Sequence, residues 1–244
     1  MITRKKFFGK GRGVTALVLV AWLTALIHLP LSGAVGCDLN DPDRDIKVLF
    51  PESSNYRTFY ISVKDSGGQP LLEKIEQMLG DRFTGLYETI DVPYTVYEIY
   101  RGTEIIGYVH GVNQKGRYGG IQVFLALTPK GEIRGFYVQK ITSRGSRQFR
   151  SREFGAQFIG LKLEDFANYQ VKSGIENPPG PISRLKNPVP EAEDDFRAIL
   201  RGVKKNVILM ELLVLNRREK TPDQNMSDRQ PGLEPAKKNL ENSK

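Results

Sequence analysis

Residues 119–161 of this chain read GGIQVFLALTPKGEIRGFYVQKITSRGSRQFRSREFGAQFIGL. Two runs rich in β-branched and aromatic residues, Ile121–Thr128 and Ile133–Ile141, flank the turn sequence Pro129-Lys130-Gly131, which predicts a β-hairpin. An arginine-rich loop follows, and Ser151 is then placed to cap a short helix over Arg152–Ile159. Strands followed by helices are typical of the α+β class.

The residues before this stretch predict a second hairpin. Tyr94–Tyr100 and Ile105–His110 have the composition of two strands, and a glycine-rich loop, Gly111–Gly120, leads from them to the next hairpin. Two consecutive hairpins predict an antiparallel sheet. Apolar residues recur at helical spacing over residues 70–80 and again after Pro190, so we expect helices packed on this sheet.

The length and charge of the chain limit how many domains it can contain and where its charge is concentrated. Its 244 residues accommodate one domain with terminal extensions. The formal net charge is +8, but five basic residues lie among the first twelve, which contain no acid. Val14–Leu29 is then almost entirely apolar, and a basic start followed by an apolar run is typical of a secretory signal or a membrane anchor. The high charge is therefore partly a targeting feature, and we expect no nucleic-acid partner.

The single cysteine, Cys37, directly follows Ala34-Val35-Gly36. Small residues at these positions let a signal peptidase approach the backbone, so the segment resembles a bacterial lipoprotein cleavage site with Cys37 as the lipidated N-terminus. The alternative is an uncleaved helical anchor, and both remain open. In either case the positive cluster stays in the cytoplasm, so we expect the domain on the periplasmic or extracellular side of the cytoplasmic membrane.

These observations divide the chain into four segments. Residues 1–37 form a leader or membrane anchor, and the acidic, polar residues 38–46 form a spacer leading away from the membrane. The folded domain is expected over residues 47–216, with an early strand at Tyr56–Val63. Residues 217–244 are charged, contain prolines and lack periodicity, which predicts a disordered tail.

The loop Lys140–Arg152 is studded with arginines, interleaved with a glycine and three serines. An arginine guanidinium binds phosphate through paired hydrogen bonds, and a glycine-containing loop before a helix presents backbone N–H groups to an anion. Arg144, Arg147 and Arg150 are therefore candidates for binding a phosphate, an acidic partner such as a cytochrome, or anionic lipid headgroups. The alternative is a solvated basic loop that binds nothing.

Several short segments occur in an order that resembles a known family. They are Leu49-Phe50-Pro51, Ile106-Gly107-Tyr108, Tyr118-Gly119-Gly120 and Gln157-Phe158-Ile159-Gly160. Over residues 47–215 the chain thereby resembles the periplasmic FMN-binding domain of the flavin-carrying subunits of the Rnf and Nqr redox pumps, also found at the N-terminus of nitrous-oxide reductase regulators.

The resemblance implies a membrane-tethered electron-transfer component rather than a stand-alone enzyme. Its partners would be a membrane redox complex or a periplasmic electron carrier. With the arginine loop included, the candidate FMN-binding residues are Tyr118, Gly119, Gly120, Arg144, Arg147, Arg150 and Gln157.

Members of this family that bind flavin covalently carry Ser/Thr-Gly-Ala-Thr before the last helix, and the final threonine forms a phosphoester bond with FMN. The nearest match here is Ser173-Gly174-Ile175-Glu176, in which Glu176 has no hydroxyl and its carboxylate would repel the phosphate. No threonine lies between Thr142 and Thr221. We therefore expect noncovalent FMN rather than covalent flavin. A second hypothesis is a flavin-free binding or assembly subunit of a membrane redox complex.

Other titratable residues give weaker signals. His110 follows a predicted strand end with no cysteine or histidine nearby, so we expect a hydrogen-bonded loop histidine rather than a metal ligand, and no metal site. The acidic run from Glu191 to Asp195 is expected to supply charges at the start of a helix. Paired catalytic carboxylates are not indicated.

Overall fold

The computed structural model describes residues 37–84 and 88–219. The leader expected before Cys37 and most of the tail expected after residue 216 lie outside these residues. Within the described part the architecture is α+β, as the sequence predicts, with a five-stranded antiparallel sheet between helices. No helix in this part of the chain combines the length and apolarity needed to cross a membrane.

The elements follow one another along the chain with short helices and turns between the longer ones. Their bounds are α1 Pro42–Leu49, β1 Asn55–Ile61, α2 Val63–Leu79, β2 Tyr94–Arg101, β3 Glu104–Lys115, β4 Gly120–Leu127, β5 Ile133–Lys140, α3 Ser146–Phe149, α4 Arg152–Ala156, β6 Tyr169–Gln170, β7 Ile175–Glu176, α5 Glu193–Met210 and α6 Asn216–Glu219. Single 3-10 turns lie at Leu163–Phe166, Ile182–Arg184 and Pro190–Ala192, and a π-helical turn at Glu211–Leu215 joins α5 to α6.

The sheet has the strand order β1-β2-β3-β4-β5, with every neighbouring pair antiparallel. Both predicted hairpins are present, and the predicted early strand adds a fifth strand at the margin. The prediction of a glycine-rich loop over Gly111–Gly120 is wrong for most of that range. Strand β3 continues to Lys115 and leaves a turn of only four residues before β4. Pairing of Val112 with Val123 buries both side chains, which favours strand over loop there.

The helix predicted over residues 70–80 is the second part of α2. The backbone is non-helical at Gly67 and Gly68, and the regular helix then runs to a left-handed C-cap at Gly80, where φ is 73°. A residue without a Cβ adopts this conformation without strain, so Gly80 ends the helix where the sequence predicts.

Residues 38–46 do not form the expected spacer. Asp41 caps α1 by accepting a hydrogen bond from the backbone N–H of Arg44 at 3.2 Å, and Ile46 is buried against the sheet. Leu39 is also buried, and its N–H donates to the hydroxyl of Tyr97 at 3.1 Å. These contacts form a second, smaller core on one face of the sheet, and the polar composition of the segment did not reveal it.

The main core lies on the other face, where α5 crosses β3 and β4. The apolar stripe of α5 that the sequence predicts is buried there, including Val203, Val207 and Met210. The helical chain then continues through the π turn and α6 as far as Glu219, slightly beyond the expected start of the tail. This arrangement leaves the loops after β3 and β5 together near the start of α5.

Candidate functional site

The arginine loop folds into the short helices α3 and α4, which are anchored from below by aromatic side chains. Phe149, Phe154 and Phe158 are fully or almost fully buried. Phe136 of β5 stacks on Phe158 with ring centroids 4.3 Å apart, and Phe154 meets Phe136 edge to face at 5.5 Å. The anchor holds the intervening polar residues at the surface. Ser151 caps α4, as predicted, by accepting a hydrogen bond from the N–H of Phe154 at 3.2 Å.

The surface above this anchor is an open depression of about 680 Å³, which we call the arginine depression. It is lined by Ser146, Arg147, Arg150, Ser151, Arg152 and Glu153. Arg147 and Arg152 are exposed, and in the described part of the chain neither has a carboxylate oxygen within 4.0 Å. Most other arginines are paired, as Arg101 is with Glu104 at 2.7 Å. The depression is therefore a concentrated positive charge open to an anion.

Arg150 has a structural role that the sequence did not indicate. Its Nε donates to the carbonyl of Val138 at 3.1 Å, and its Nη2 donates to the carbonyl of Gln139 at 2.5 Å. Both carbonyls belong to consecutive residues of β5, so the guanidinium fastens the arginine loop to that strand. Only the remaining N–H groups of Arg150 are free to face the depression.

Gln157 is also engaged within the protein. Its Nε2 donates to the carbonyl of Lys186 at 3.2 Å, and its Oε1 accepts from the N–H of the same residue at 2.7 Å. This pair of bonds fastens the loop before α5 to α4. Val189 of that loop lies directly over Gly145, where any side chain on residue 145 would overlap it. Gln157 therefore positions the loop and is not placed as an open binding group.

Tyr118 and Gly119 end the turn between β3 and β4, and Gly120 is the first residue of β4. The N–H of Gly116 donates to the carbonyl of Gly119 at 2.8 Å, closing the turn. A Cβ on Gly119 would lie 3.5 Å from the hydroxyl of Thr142, so this turn lies against the start of the arginine loop. Tyr118 is 55% exposed, and the guanidinium carbon of Arg117 lies 5.5 Å from its ring centroid. The structure thus brings the two predicted parts of the site side by side.

Asp195 fastens the start of α5 to the same turn. It is almost fully buried, and its carboxylate accepts a hydrogen bond from the backbone N–H of Arg117 at 2.7 Å. The sequence predicted only a helix-start charge here. The burial could not be inferred because Asp195 and Arg117 are far apart in the sequence.

Glu176, at the position of the flavin-accepting threonine in the resemblance, has its carboxylate inside the protein. Its Oε2 accepts hydrogen bonds from the N–H groups of Gly180 at 2.8 Å and Ser183 at 2.7 Å. Burial tends to raise the pKa of Glu176, but the backbone hydrogen bonds outweigh it, so the pKa lies below its usual value. The matching segment Ser173–Glu176 forms the turn and second strand of the β6–β7 pair, not the residues directly before α5.

A buried ionic network beneath α5 is a feature that sequence reasoning missed. Arg201 donates to Glu88 at 2.8 and 3.2 Å, to Gln114 at 2.7 Å and to Asp81 at 3.0 Å. Lys205, which is 1% exposed, donates to Glu88 and to the carbonyl of Asn113. Burial lowers the pKa of Lys205 to about 8, partly offset by the charge of Glu88. The network joins the end of α2, the approach to β2 and strand β3 to α5.

His110 lies inside β3 and is fully buried, so the expected loop position is wrong. Its Nδ1 lies 2.9 Å from Oδ1 of Asn206, and the amide nitrogen of Asn206 donates to the carbonyl of His110 at 2.9 Å. Because the amide oxygen faces the ring, Nδ1 carries the proton of the neutral imidazole. Burial lowers the pKa of His110 to about 4. Among the described residues, no group of three or more histidine, cysteine or acidic side chains is arranged to hold a metal ion.

Cys37 is buried in the smaller core with Leu39 and Tyr97. Burial raises the pKa of its thiol to about 12, and the nearby carboxylate of Asp38 adds to the effect. Lipidation of Cys37 stays a prediction, and it would require the sulfur to leave this core.

Comparison with known proteins gives a likeness of fold. No family model matches the chain, and no curated protein sequence matches it. The crystal structure of Shewanella oneidensis NqrC is similar to it, with a TM-score of 0.50 and 16% sequence identity, over 78% of this chain and 94% of that chain. At this identity the likeness shows the fold, and it agrees with the resemblance to Nqr flavin subunits at the level of architecture.

Proposed function

We propose that this chain is an electron-transfer subunit of a membrane redox complex and that it binds FMN without a covalent bond. The observation that carries the proposal is the likeness of its fold to NqrC. The short segments of the sequence, taken in their order along the chain, resemble the flavin subunits of the same kind of redox pump. Electron transfer is the chemistry that the flavin supplies when bound, while the protein positions it. The chain is thus a component of a larger system rather than a stand-alone enzyme.

The arginine depression is the place that best fits the phosphate of FMN. Arg147 and Arg152 are exposed and positively charged, with no carboxylate oxygen within 4.0 Å in the described part of the chain, although the charge of Arg152 also acts on Glu153. Ser146 adds a hydroxyl donor beside them. A phosphate dianion accepts such charge-assisted hydrogen bonds, each contributing about 1.5–3 kcal/mol. Glu153 also lines the depression, so the phosphate is expected on the side of the two arginines.

Tyr118 provides a surface for the flavin ring. Its side chain is more than half exposed, and its turn contacts the start of the arginine loop at Thr142. An exposed aromatic face of this kind supports stacking of a planar ring. Covalent attachment is not part of this proposal, because Glu176 has no hydroxyl and its carboxylate is held by backbone N–H groups.

The proposal places the domain on the outer side of the cytoplasmic membrane, tethered through the residues up to Cys37. The basic first twelve residues and the apolar run after them support this location. Its partner would be a membrane redox complex or a periplasmic electron carrier.

The test is the visible absorption spectrum of the purified full chain before and after acid precipitation. Noncovalent FMN gives a yellow protein whose colour passes into the supernatant. Colour that stays in the pellet would show covalent flavin and contradict the proposed mode of binding. If the purified chain is colourless, it is titrated with FMN. Failure to bind FMN in that titration would contradict the proposal that the chain is a flavin-binding protein.

The site is tested by replacing both Arg147 and Arg152 with Gln. Loss of two charge-assisted hydrogen bonds is expected to weaken FMN binding by roughly tenfold or more per arginine, with a smaller effect at high salt. Arg101→Gln is the matched control, since Arg101 is exposed and lies at the end of β2. Equal FMN affinity in the double variant and the control would remove the arginine depression as the site.

A second candidate is a flavin-free binding or assembly subunit that kept the fold. The observation that favours it is Glu176, whose internally bound carboxylate stands at the position of the acceptor threonine. A chain that copurifies with a membrane redox complex, yet neither carries nor binds FMN, would support this candidate over the first.

A further inference from the structure

The two margins of the sheet differ in how their backbone groups are satisfied. At the β5 margin the side chain of Arg150 covers the carbonyls of Val138 and Gln139. The N–H of Ile133 donates to the carbonyl of Leu161, and its carbonyl accepts from the N–H of Gly160, each at 2.8 Å. These contacts close that edge. At the opposite margin β1 pairs only with β2, and no other strand in the described part of the chain lies beside it.

Strand β1 has few of the features that usually protect an open edge, the exposed charge of Arg57 being the exception. Its sequence, NYRTFYI, contains no proline or lysine, and its pairing with β2 has no bulge. Asn55, Arg57, Thr58 and Tyr60 are exposed, Tyr60 by 60%. A flat, exposed and largely uncharged edge strand is a template for pairing with another strand.

We propose that β1 pairs with β1 of a second copy of this chain, in an antiparallel register centred on Thr58. This interaction is independent of flavin and lies on a different margin of the sheet from the arginine depression. A two-fold axis through Thr58 would use all seven residues of the strand and join the two sheets into one of ten strands.

The sequence of β1 is complementary to itself in this register. Tyr56 of one copy lies opposite Tyr60 of the other, and Arg57 lies opposite Phe59, so aromatic and cation–aromatic pairs form twice. No charge faces a like charge. A register centred one residue earlier would oppose the two copies of Arg57, and repulsion disfavours it. The aromatic pairing of Tyr56 with Tyr60 in this register therefore favours a second copy over an unrelated strand.

The register is tested by disulfide cross-linking of the purified full chain. Thr58→Cys places two thiols opposite each other at the axis, so mild oxidation is expected to give covalent dimers. The unchanged chain controls for Cys37, and Val48→Cys, at a site 72% exposed on α1, controls for random collision. Tyr56→Cys and Tyr60→Cys are expected to cross-link when mixed, and much less when either is oxidised alone.

Sedimentation of the unmodified chain and of Thr58→Lys provides a second measurement. The unmodified chain is expected to dimerise with rising concentration, and two lysines at the axis are expected to shift the dissociation constant at least tenfold upward. A chain that stays monomeric at the highest attainable concentration overturns the proposal. Dimers of Thr58→Cys no more abundant than those of Val48→Cys overturn it too, and dimers unaffected by Thr58→Lys show that another surface is used.

Discussion

Acid is expected to destabilise this fold through one buried imidazole before the carboxylates contribute. His110 is fully buried, and its pKa is lowered to about 4, chiefly by burial and to a smaller extent by the positive charge of Lys205. The hydrogen bond with Asn206 acts in the opposite direction and is too weak to offset burial. In the unfolded chain the same side chain has a pKa of about 6.5.

The direction of the effect follows from where the proton binds. Between about pH 6.5 and about pH 4, His110 is protonated in the unfolded chain but stays neutral in the folded chain. Lowering the pH in this range therefore favours unfolding. The free energy of unfolding is expected to fall by about 1.4 kcal/mol per pH unit and to level off near pH 4. The total loss is roughly 3 kcal/mol, a large part of the stability of an ordinary domain.

The assay is urea unfolding of the purified full chain at a series of pH values between about 7.5 and about 5, a range that lies above the titration of ordinary carboxylates. His110→Asn is the control, because its amide nitrogen takes the place of Nδ1 and keeps a donor for Asn206 without a titratable group. The variant is expected to be less stable at pH 7 but almost independent of pH in this range. A flat profile for the unmodified chain, or the same slope in both proteins, would refute the reasoning.

Three further predictions concern the cores. Glu88→Gln leaves Lys205 buried without its carboxylate and is expected to cost about 3–5 kcal/mol in urea unfolding, against less than about 1 kcal/mol for the exposed control Glu104→Gln; equal losses would contradict this. Phe158→Ala is expected to cost about 3–5 kcal/mol by opening a cavity under the arginine depression, and an unchanged melting temperature would be inconsistent with the stacking described. Cys37 is expected to react with iodoacetamide far more slowly in the folded chain than in urea, because burial suppresses the thiolate; similar rates would place the thiol outside the core.

Local patterns in the sequence predicted most of the sheet and the two long helices. Strand and turn composition depends on near neighbours, so the hairpins β2–β3 and β4–β5 and the cap at Ser151 were predicted correctly. Composition was misleading where a polar segment is held by tertiary contacts. Residues 38–46 were expected to be a spacer, and burial of Ile46 and Leu39 against the sheet makes them part of the fold.

The site depended on the tertiary structure in a different way. The arginine-rich loop was visible in the sequence, but which arginines remain free was not, because Arg150 is bound to carbonyls of β5 that only the packing of α3 and α4 brings within reach. Gln157 was a candidate FMN-binding residue, and in the structure its amide is hydrogen-bonded to the backbone of Lys186, in the loop before α5.

Contacts between buried polar residues that are far apart in the sequence could not be predicted from it. Glu88 and Lys205 meet across a sequence separation of 117 residues, and His110 and Asn206 across 96. No periodicity or motif links residues so far apart, since their pairing depends on how α5 docks on the sheet. Burial also sets their pKa values, because a charge is costly only where the fold has removed water. Local order is thus encoded by neighbouring residues, whereas partners and protonation states are decided by the packed tertiary structure.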